Sequence, residues 1–380
     1  MTNPLHIHIV SFDIPDPPSY GGAIDVYYKV RALHEAHVHV TLHCFYRGTL
    51  HPSSTLEQWC DRVFYYRCSV NPAFLFAPLP FAVMIRRSDE LLDNLLKDNH
   101  PILFEGLVSC YLLTHPQLRD RVKFYRECNI EHHYYHALGQ SMRSPLKRWY
   151  YFLEARKLKQ FEPCIRNATH ILAVAHQDEA HFKQHYPSVP TSYIPSFHAD
   201  TEISVCQGQG DYILYHGNLA VAENDHAARH IVKHIAPMLP DIPFVIAGRN
   251  PSKQLYALAS QYANVQIIAS PSTERMEQLI RDAQIHLLIT FQGTGLKLKL
   301  LNVLYHGRHI IANPQMVVGT ELAQLCVIGR TDDELIQLCK SYFGVPCERE
   351  SIAKREKLLH QLFNNQTLCE TLLHTLTATK

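Results

Sequence analysis

Strand-like and helix-like segments alternate along almost the whole chain, and this alternation restricts the fold more than any other feature of the sequence. Residues 5–10 alternate apolar and polar side chains, as a strand does, and residues 23–36 then carry apolar side chains at helical spacing. Another strand is predicted at 38–45. A strand, a helix and a second strand in succession are typical of parallel sheets covered by helices. The sequence therefore predicts an α/β fold with doubly wound parallel sheets.

The alternation occurs twice, on either side of a break. Residues 186–211 collect prolines and glycines without periodicity, which is typical of an interdomain linker. Before the break, further strands are predicted at 102–105, 122–127 and 171–175 and helices at 89–97, 145–161 and 177–185. After it, strands are predicted at 212–215, 244–247, 265–269, 285–290 and 309–312 and helices at 223–238, 251–263, 274–283 and 298–305. We expect two Rossmann-like domains facing a cleft, at 1–190 and 212–345, with a linker at 191–211 and a helical C-terminal tail at 346–380.

Composition supports a globular chain and excludes several other classes of protein. The 380 residues are 46% hydrophobic, and 36 basic residues nearly balance 35 acidic ones, so the formal net charge is +1. This balance argues against disorder and lacks the basic excess of a nucleic-acid-binding protein. The longest apolar stretch, 73–85, is shorter than the roughly 20 residues that a membrane span needs. The N-terminus lacks the pattern of a secretory signal.

Cysteine and histidine are abundant without forming a recognisable disulfide or metal pattern. The 11 cysteines are scattered and never spaced as Cys-x-x-Cys, which favours free thiols in a reducing cytoplasm. The 26 histidines are spread over the chain, and no His-Glu-x-x-His motif occurs. The sequence therefore predicts neither a metal site nor a bound cofactor.

A pair of glycines between the first strand and the first helix is a candidate anion site. Gly21 and Gly22 let a ligand approach the backbone, and the start of the following helix offers unpaired N–H groups. A tight turn into the helix is the alternative interpretation. The Gly-x-Gly-x-x-Gly fingerprint of dinucleotide-binding proteins is absent here.

The second half carries similar candidates at the ends of its strands. Arg249 follows the strand 244–247 and could form a bidentate pair with a diphosphate, or simply occupy a surface turn. Gly217 follows the strand 212–215, and Asn224 begins the next helix as a cap or a polar ligand.

The segment 293–302, Gly-Thr-Gly-Leu-Lys-Leu-Lys-Leu-Leu-Asn, is the strongest candidate. Its glycines can expose N–H groups to a phosphate at a helix start, and Lys297 and Lys299 can add positive charge. The alternative is an amphipathic helix with solvated lysines. The order and spacing of a P-loop are absent.

These segments, in this order, resemble the family 4 retaining glycosyltransferases of the GT-B fold, and the resemblance covers nearly the whole chain. It rests on Gly-Gly-Ala at 21–23, Asn-Ile-Glu-His-His-Tyr-Tyr at 129–135, the Gly217 loop, Ala-Gly-Arg-Asn-Pro at 247–251, and the segment 293–302. In that family the C-terminal half binds a nucleotide-activated sugar and the N-terminal half binds the acceptor. The resemblance implies a UDP- or GDP-sugar as donor substrate, no bound divalent metal, and transfer with retention at the anomeric carbon.

The resemblance also implies roles for individual residues. Arg249, Lys297 and Lys299 would neutralise the donor diphosphate, and Asn302 stands where many relatives have a Glu that binds the ribose. The donor-binding residues it predicts are Gly21, Gly22, Gly217, Asn224, Arg249, Thr294, Gly295, Lys297, Lys299 and Asn302.

Catalytic residues are less clearly indicated. Cys128 occupies the position of a sugar-contacting His in many relatives, so His132 or His133 could substitute for it. If a base is needed, Glu131 and Glu105 are candidates, with turn capping or ion pairing as the alternative.

The leading prediction is a glycosyltransferase that acts on a carbohydrate or lipid-linked acceptor, as in polysaccharide biosynthesis. The alternatives are a catalytically weak GT-B-like partner subunit and a sugar-nucleotide epimerase. The helix 145–161 carries bases and aromatics together, which predicts a peripheral membrane contact, or else a core-packed helix with a basic outer face.

Overall fold

The computed structural model describes residues 5–142, 144–292 and 296–378. The chain forms two compact units. The first contains the chain up to Ala199 together with the C-terminal segment from Leu362, and the second contains most of the chain from Asp200 to Gln361.

The first unit is built on a sheet of seven parallel strands in the order β3-β2-β1-β4-β5-β6-β7. The strands are His6–Ser11 (β1), His39–Tyr46 (β2), Arg62–Arg67 (β3), Ile102–Glu105 (β4), Lys123–Arg126 (β5), His170–Ala173 (β6) and Thr191–Tyr193 (β7). The helices are Gly21–Glu35 (α1), Ser54–Trp59 (α2), Phe81–Met84 (α3), Asp89–Leu95 (α4), Glu131–Ser141 (α5), Pro145–Phe161 (α6) and His176–His185 (α7). Short 3-10 turns link several of them.

Both faces of this sheet are buried, which explains the apolar runs of its central strands. Ile7 and Ile9 of β1 pack on one face against Val26 and Val30 of α1, and Val10 packs on the other face. Because all seven strands are parallel, their carboxyl ends lie at the same edge of the sheet.

The second unit contains six parallel strands in the order β10-β9-β8-β11-β12-β13. They are Ile213–Asn218 (β8), Phe244–Arg249 (β9), Val265–Ala269 (β10), Ile285–Leu288 (β11), His309–Ala312 (β12) and Val327–Ile328 (β13). The helices are Ala222–His230 (α8), Lys253–Ala259 (α9), Thr273–Asp282 (α10), Leu298–His306 (α11), Pro314–Val317 (α12), Asp332–Phe343 (α13) and Arg349–Phe363 (α14). A π-helical turn, Ile231–Ile235, continues α8.

The C-terminal tail consists of two helices, as predicted. Arg355 of α14 donates to the carbonyls of Leu304 and Gly307 at the end of α11, in the second unit. The last helix, Asn365–Ala378 (α15), instead buries Leu368 and Leu372 in the core beside α1 of the first unit. The tail thus contributes one helix to each unit.

Ten strands were expected, and all ten occur, with β3, β7 and β13 in addition. The segment 191–211, expected as a linker, begins with the three residues of β7, which pair with β6. Among residues 5–142, 144–292 and 296–378, every helix is too short or too polar to span a lipid bilayer.

Candidate functional site

The carboxyl ends of β8 and β9 meet at a point where only glycine fits. Gly217 pairs with Gly248, and Asn218 pairs with Arg249. A Cβ atom at Gly248 would lie 1.8 Å from the carbonyl oxygen of Gly217, well inside van der Waals contact. These glycines bring the two strand ends together, and Arg249 follows directly.

Asn224 links this strand end to α8. Its side-chain amide donates to the carbonyl of Asn218 at 3.1 Å. A Cβ atom at Gly217 would lie 3.3 Å from the Asn224 side chain, so the small residue permits the close approach. The predicted residues Gly217 and Asn224 are therefore in contact.

Lys299 of α11 reaches the same place. Its ammonium donates to Asn224 Oδ1 at 3.0 Å and to the Tyr215 hydroxyl at 3.3 Å, and it lies 4.8 Å from the centre of the Tyr215 ring. It forms no ion pair with any carboxylate in the described chain. Burial lowers the pKa of Lys299 to about 8, although Glu223 opposes the shift, and Lys297 adds to it. The Lys299 ammonium is half-buried and its hydrogen-bond partners are neutral, so a bound anion would stabilise its charge.

Two neighbours complete the electrostatics around Lys299. Burial, with the charge of Lys299, lowers the pKa of His216 to about 3, so this ring is neutral at physiological pH. The Glu223 carboxylate accepts a hydrogen bond from the Thr290 hydroxyl. The sequence analysis predicted neither His216 nor Thr290 in this region.

The remaining donor-side predictions differ in their surroundings. Arg249 is exposed, and within the described residues its side chain makes neither a hydrogen bond nor an ion pair. Lys297 is half-buried at the start of α11. Thr294 and Gly295 lie outside the described residues.

Asn302 is already engaged on its amide side. Its Nδ2 donates to Asp200 Oδ1 at 2.9 Å, and the same carboxylate oxygen lies 2.7 Å from His306 Nε2. A carboxylate therefore does lie beside Asn302, but it belongs to Asp200, which is 102 residues away in sequence and was not predicted. A ligand of Asn302 would meet its carbonyl oxygen.

In the first unit, α1 begins at Gly21. The preceding Tyr20 provides no side-chain cap for the first N–H groups of the helix. A Cβ atom at Gly22 would lie 2.6 Å from the Phe12 ring. Gly22 therefore permits close packing of the Phe12 ring, and the anion site at Gly21 and Gly22 stays a prediction.

A buried ionic network lies at the carboxyl ends of β4 and β5 and consists of Asp25, Lys29, Glu105 and Arg126. Lys29 Nζ lies 2.7 Å from Glu105 Oε1 and 3.0 Å from Asp25 Oδ2. Arg126 donates to both oxygens of Asp25 and to two carbonyls that follow β7. Glu105 is fully buried and bonded to Lys29, which is the ion-pairing role that the sequence left open as its alternative to a base.

One sequence feature could have predicted the buried ionic network. Asp25 and Lys29, four residues apart, lie on the apolar stripe of α1 with Val26 and Val30. Charged residues on a buried helical face need ionic partners, because an unpaired buried charge is costly.

Glu131, the first residue of α5, has proton-transfer chemistry available near neutral pH. Burial raises the pKa of Glu131 to about 7, against the opposing charge of Arg86, and Glu162 adds to the rise. Cys128 differs, because burial and the neighbouring Glu105 hold its pKa well above the ordinary thiol value. Its thiol therefore stays protonated and is a poor nucleophile.

The two histidine candidates have different environments. His132 is buried, and its Nδ1 lies 2.9 Å from Glu162 Oε2. Burial alone would raise the pKa of Glu162, but hydrogen bonds from His132, His181 and Tyr186 lower it to about 2. His132 therefore supports the packing of α5, whereas His133 is exposed and available for a ligand.

Comparison with solved structures identifies proteins with a similar fold. No protein-family model matches the sequence. Sucrose-phosphate synthase from Thermosynechococcus elongatus aligns with a TM-score of 0.69 and 15% identity, over 99% of this chain and 100% of that chain. HepE from Anabaena, in complex with UDP and glucose, aligns with a TM-score of 0.64 and 10% identity, over 98% and 100% of the chains. The chain has the GT-B fold.

One relative is detected by sequence. It is described as an uncharacterized 44.6 kDa protein in the cps region of Klebsiella pneumoniae. The two sequences are 26% identical over an alignment of 336 residues, and the match covers 83% of this chain and 84% of the relative. The predicted GT-B architecture is confirmed, and membership of family 4 stays a prediction.

Proposed function

We propose that the protein is a glycosyltransferase that moves a sugar from a UDP- or GDP-sugar to a hydroxyl group of an acceptor, with retention of anomeric configuration. The observation that carries the proposal is Lys299, a half-buried ammonium whose hydrogen-bond acceptors are the neutral oxygens of Asn224 and Tyr215. It lies beside Gly217, where the absence of a side chain lets Asn224 approach the strand end.

The chemistry of sugar transfer needs positive charge at this position. As the bond to the sugar breaks, negative charge grows on the departing nucleoside diphosphate, and fixed cations stabilise it. Lys299, Lys297 and the exposed Arg249 supply that charge in the proposal, so no bound divalent metal is required. The UDP complex of HepE supports a uridine nucleotide as the donor.

Retention is proposed to proceed by front-face displacement. The departing phosphate oxygen accepts the proton of the acceptor hydroxyl while that hydroxyl attacks the same face of the sugar. In this route no carboxylate attacks the sugar, and the ion pair of Glu105 with Lys29 supports a structural role for that carboxylate. Trapping a glycosyl-enzyme adduct on any carboxylate would contradict the route.

A thermal-shift panel of UDP, GDP, ADP and their sugars tests the proposal. A ligand at 100 times its dissociation constant adds about 2.7 kcal/mol of stability, which is readily detected. Lys299→Met should abolish most of the shift, whereas Lys253→Met, at an exposed position on α9, should leave it unchanged. A full shift in Lys299→Met, or no shift with any nucleotide, would refute the donor site.

Release of nucleoside diphosphate separates the alternatives. With the correct donor, a transferase slowly hydrolyses the nucleotide sugar even without acceptor, and an epimerase rearranges the sugar on the nucleotide. A partner subunit with a weak site does neither.

For the acceptor, we propose a carbohydrate or a lipid-linked sugar on the cytoplasmic side of a membrane. The first turns of α6 support it, because Leu146 and Trp149 are 76% and 60% exposed beside the exposed Lys147 and Arg148. Apolar and basic side chains together are typical of helices that lie on anionic lipid. Co-sedimentation with anionic vesicles at low salt should decrease in Trp149→Ser, and absence of binding by the wild type would end this part of the proposal.

A further inference from the structure

The first unit contains a cavity at the edge of the sheet opposite to the strand ends discussed above. His6, His39 and Arg62 are the first residues of β1, β2 and β3, and His100 precedes β4. The cavity they line has a volume of about 680 Å³, within the range of small-molecule sites. Because the strands are parallel, this amino-end cavity is at the far edge of the sheet from Glu105 and the start of α1.

The acidic groups of the amino-end cavity already have partners. Asp98 lies 2.9 Å from His8 Nε2, accepts the backbone N–H of His100 at 2.9 Å, and faces Arg121 at 3.5 Å. Asp61 lies 2.9 Å from His39 Nδ1. Asp98 is therefore compensated by the Arg121 guanidinium, whereas Asp61 keeps its negative charge beside a neutral His39 ring.

Two basic groups of the cavity have no carboxylate partner. Lys97 Nζ donates to the neutral amide oxygen of Asn94 at 2.7 Å, and it lies 5.9 Å from the centre of the Phe64 ring. Arg62 is exposed, and in the described part of the chain its guanidinium has neither an ion pair nor a hydrogen bond. With Asp98 paired to Arg121, these two cations face the single carboxylate of Asp61, so the net charge of the cavity is positive.

Histidine rings form one wall of the cavity. His6 and His100 stack with ring centres 4.3 Å apart and planes inclined by 12°, and His39 lies 5.6 Å from His6. Burial, with the neighbouring His100, lowers the pKa of His6. Rings so close oppose each other's protonation, and a bound anion would relieve that repulsion.

We propose that the amino-end cavity binds a small molecule carrying a phosphate group, and that it binds more tightly as the pH falls. Arg62 and Lys97 would hold the phosphate oxygens as charged donors, and protonation of a histidine would add a third. The charged and titratable groups that line the cavity are His6 and His8 (β1), His39 (β2), Asp61 and Arg62 (at the start of β3), and Lys97, Asp98 and His100 (after α4). Behind them, His43 of β2 contacts His8, and Arg121, before β5, contacts Asp98.

Sulfate is the probe for the pH dependence, because it remains a dianion between pH 6 and 8 and only the protein titrates. Calorimetric titration of the full chain at constant ionic strength should give a dissociation constant about tenfold lower at pH 6 than at pH 8, since one pKa unit on one histidine corresponds to about a tenfold change. His6→Gln should bind sulfate as before at pH 8 and lose the gain at pH 6.

Charge removal tests the location. Arg62→Ala/Lys97→Ala should weaken sulfate binding at least tenfold at both pH values. Arg67→Ala removes an exposed cation from the opposite end of β3 and should behave as wild type. Repeating the titration with Lys299→Met identifies any second sulfate bound at the proposed donor site.

The proposal is overturned if Arg62→Ala/Lys97→Ala keeps wild-type affinity while folded by circular dichroism, or if affinity does not rise towards pH 6. If sulfate binds as expected, titrations with inorganic phosphate and with glycerol phosphate at pH 7 distinguish free phosphate from a phosphate monoester as the ligand. Binding of either one supports the site.

Discussion

Asp25→Asn is the sharpest test of what stabilises the first unit. The Asp25 carboxylate accepts two hydrogen bonds from Arg126, one from Lys29 and one from the backbone N–H of Phe197. Burial alone would raise the pKa of Asp25, but Arg126 and Lys29 hold it below its ordinary value, so the group is ionised when folded. The substitution leaves two buried cations facing the single carboxylate of Glu105.

The cost follows from the burial of these groups. Asp25 is 2% exposed and Arg126 is 1% exposed, so water cannot solvate the charge left behind. Removing one partner from a buried ion pair costs about 3–5 kcal/mol. A domain is typically stable by about 5–15 kcal/mol, so we expect the free energy of unfolding of the first unit to fall by roughly a fifth or more.

Urea unfolding followed by tryptophan fluorescence measures this directly. Both tryptophans, Trp59 and Trp149, belong to the first unit, so their signal follows that unit rather than the second. Glu35→Gln is the matched control, because it breaks the exposed pair with Arg31 on the same helix, which is worth about 0.3–0.5 kcal/mol. If Asp25→Asn differs from this control by less than 1 kcal/mol, the reasoning about the buried ionic network is wrong.

Three further predictions concern the second unit. Since burial lowers the folded-state pKa of His216 to about 3, and that of His286 well below its ordinary value, stability should be lost as pH falls below 6.5, by about 1.4 kcal/mol per histidine at pH 5.5; calorimetry at pH 7.5 and 5.5 measures this, and an unchanged melting temperature would contradict it. Gly248→Ala should destabilise by about 1–3 kcal/mol through its clash with the neighbouring strand, whereas Gly344→Ala, with open space around it, should not, as urea titrations of both would show. Arg249→Ala should leave the melting temperature unchanged and weaken nucleoside diphosphate binding about tenfold by calorimetry, since a hydrogen bond to a charged group contributes about 1.5–3 kcal/mol; equal affinity would remove Arg249 from the site.

The strands that sequence patterns failed to predict are all at sheet edges. β3, β7 and β13 are the outermost strands of their sheets, whereas the predicted strands include every central one. Central parallel strands are buried on both faces and appear as apolar runs. An edge strand such as Thr191–Tyr193 has one neighbour, is short and half-buried, and leaves a weak pattern.

In the candidate donor site, the sequence predicted only the residues that belong to short motifs along the chain. Glycines at strand ends and Lys299 at a helix start follow from spacing along the chain. The partners that decide their chemistry come from elsewhere, because Lys299 meets Asn224 across 75 residues and Asn302 meets Asp200 across 102. Only the folded sheet brings these groups together, so their charge state is a property of the structure.

Buried charges occur in both units, and their partners separate a structural role from a binding role. The buried ionic network pairs two cations with two carboxylates, so an added anion would lose solvation without gaining a free partner. Lys299 is half-buried against neutral oxygens, so a diphosphate bound there, as proposed, would meet a cation that has no carboxylate partner in the described chain. Lys299→Met should therefore leave the melting temperature of the nucleotide-free protein unchanged or higher, in contrast to Asp25→Asn, and should weaken nucleotide binding in calorimetry. A lower melting temperature with unaltered nucleotide affinity would show that Lys299 is structural.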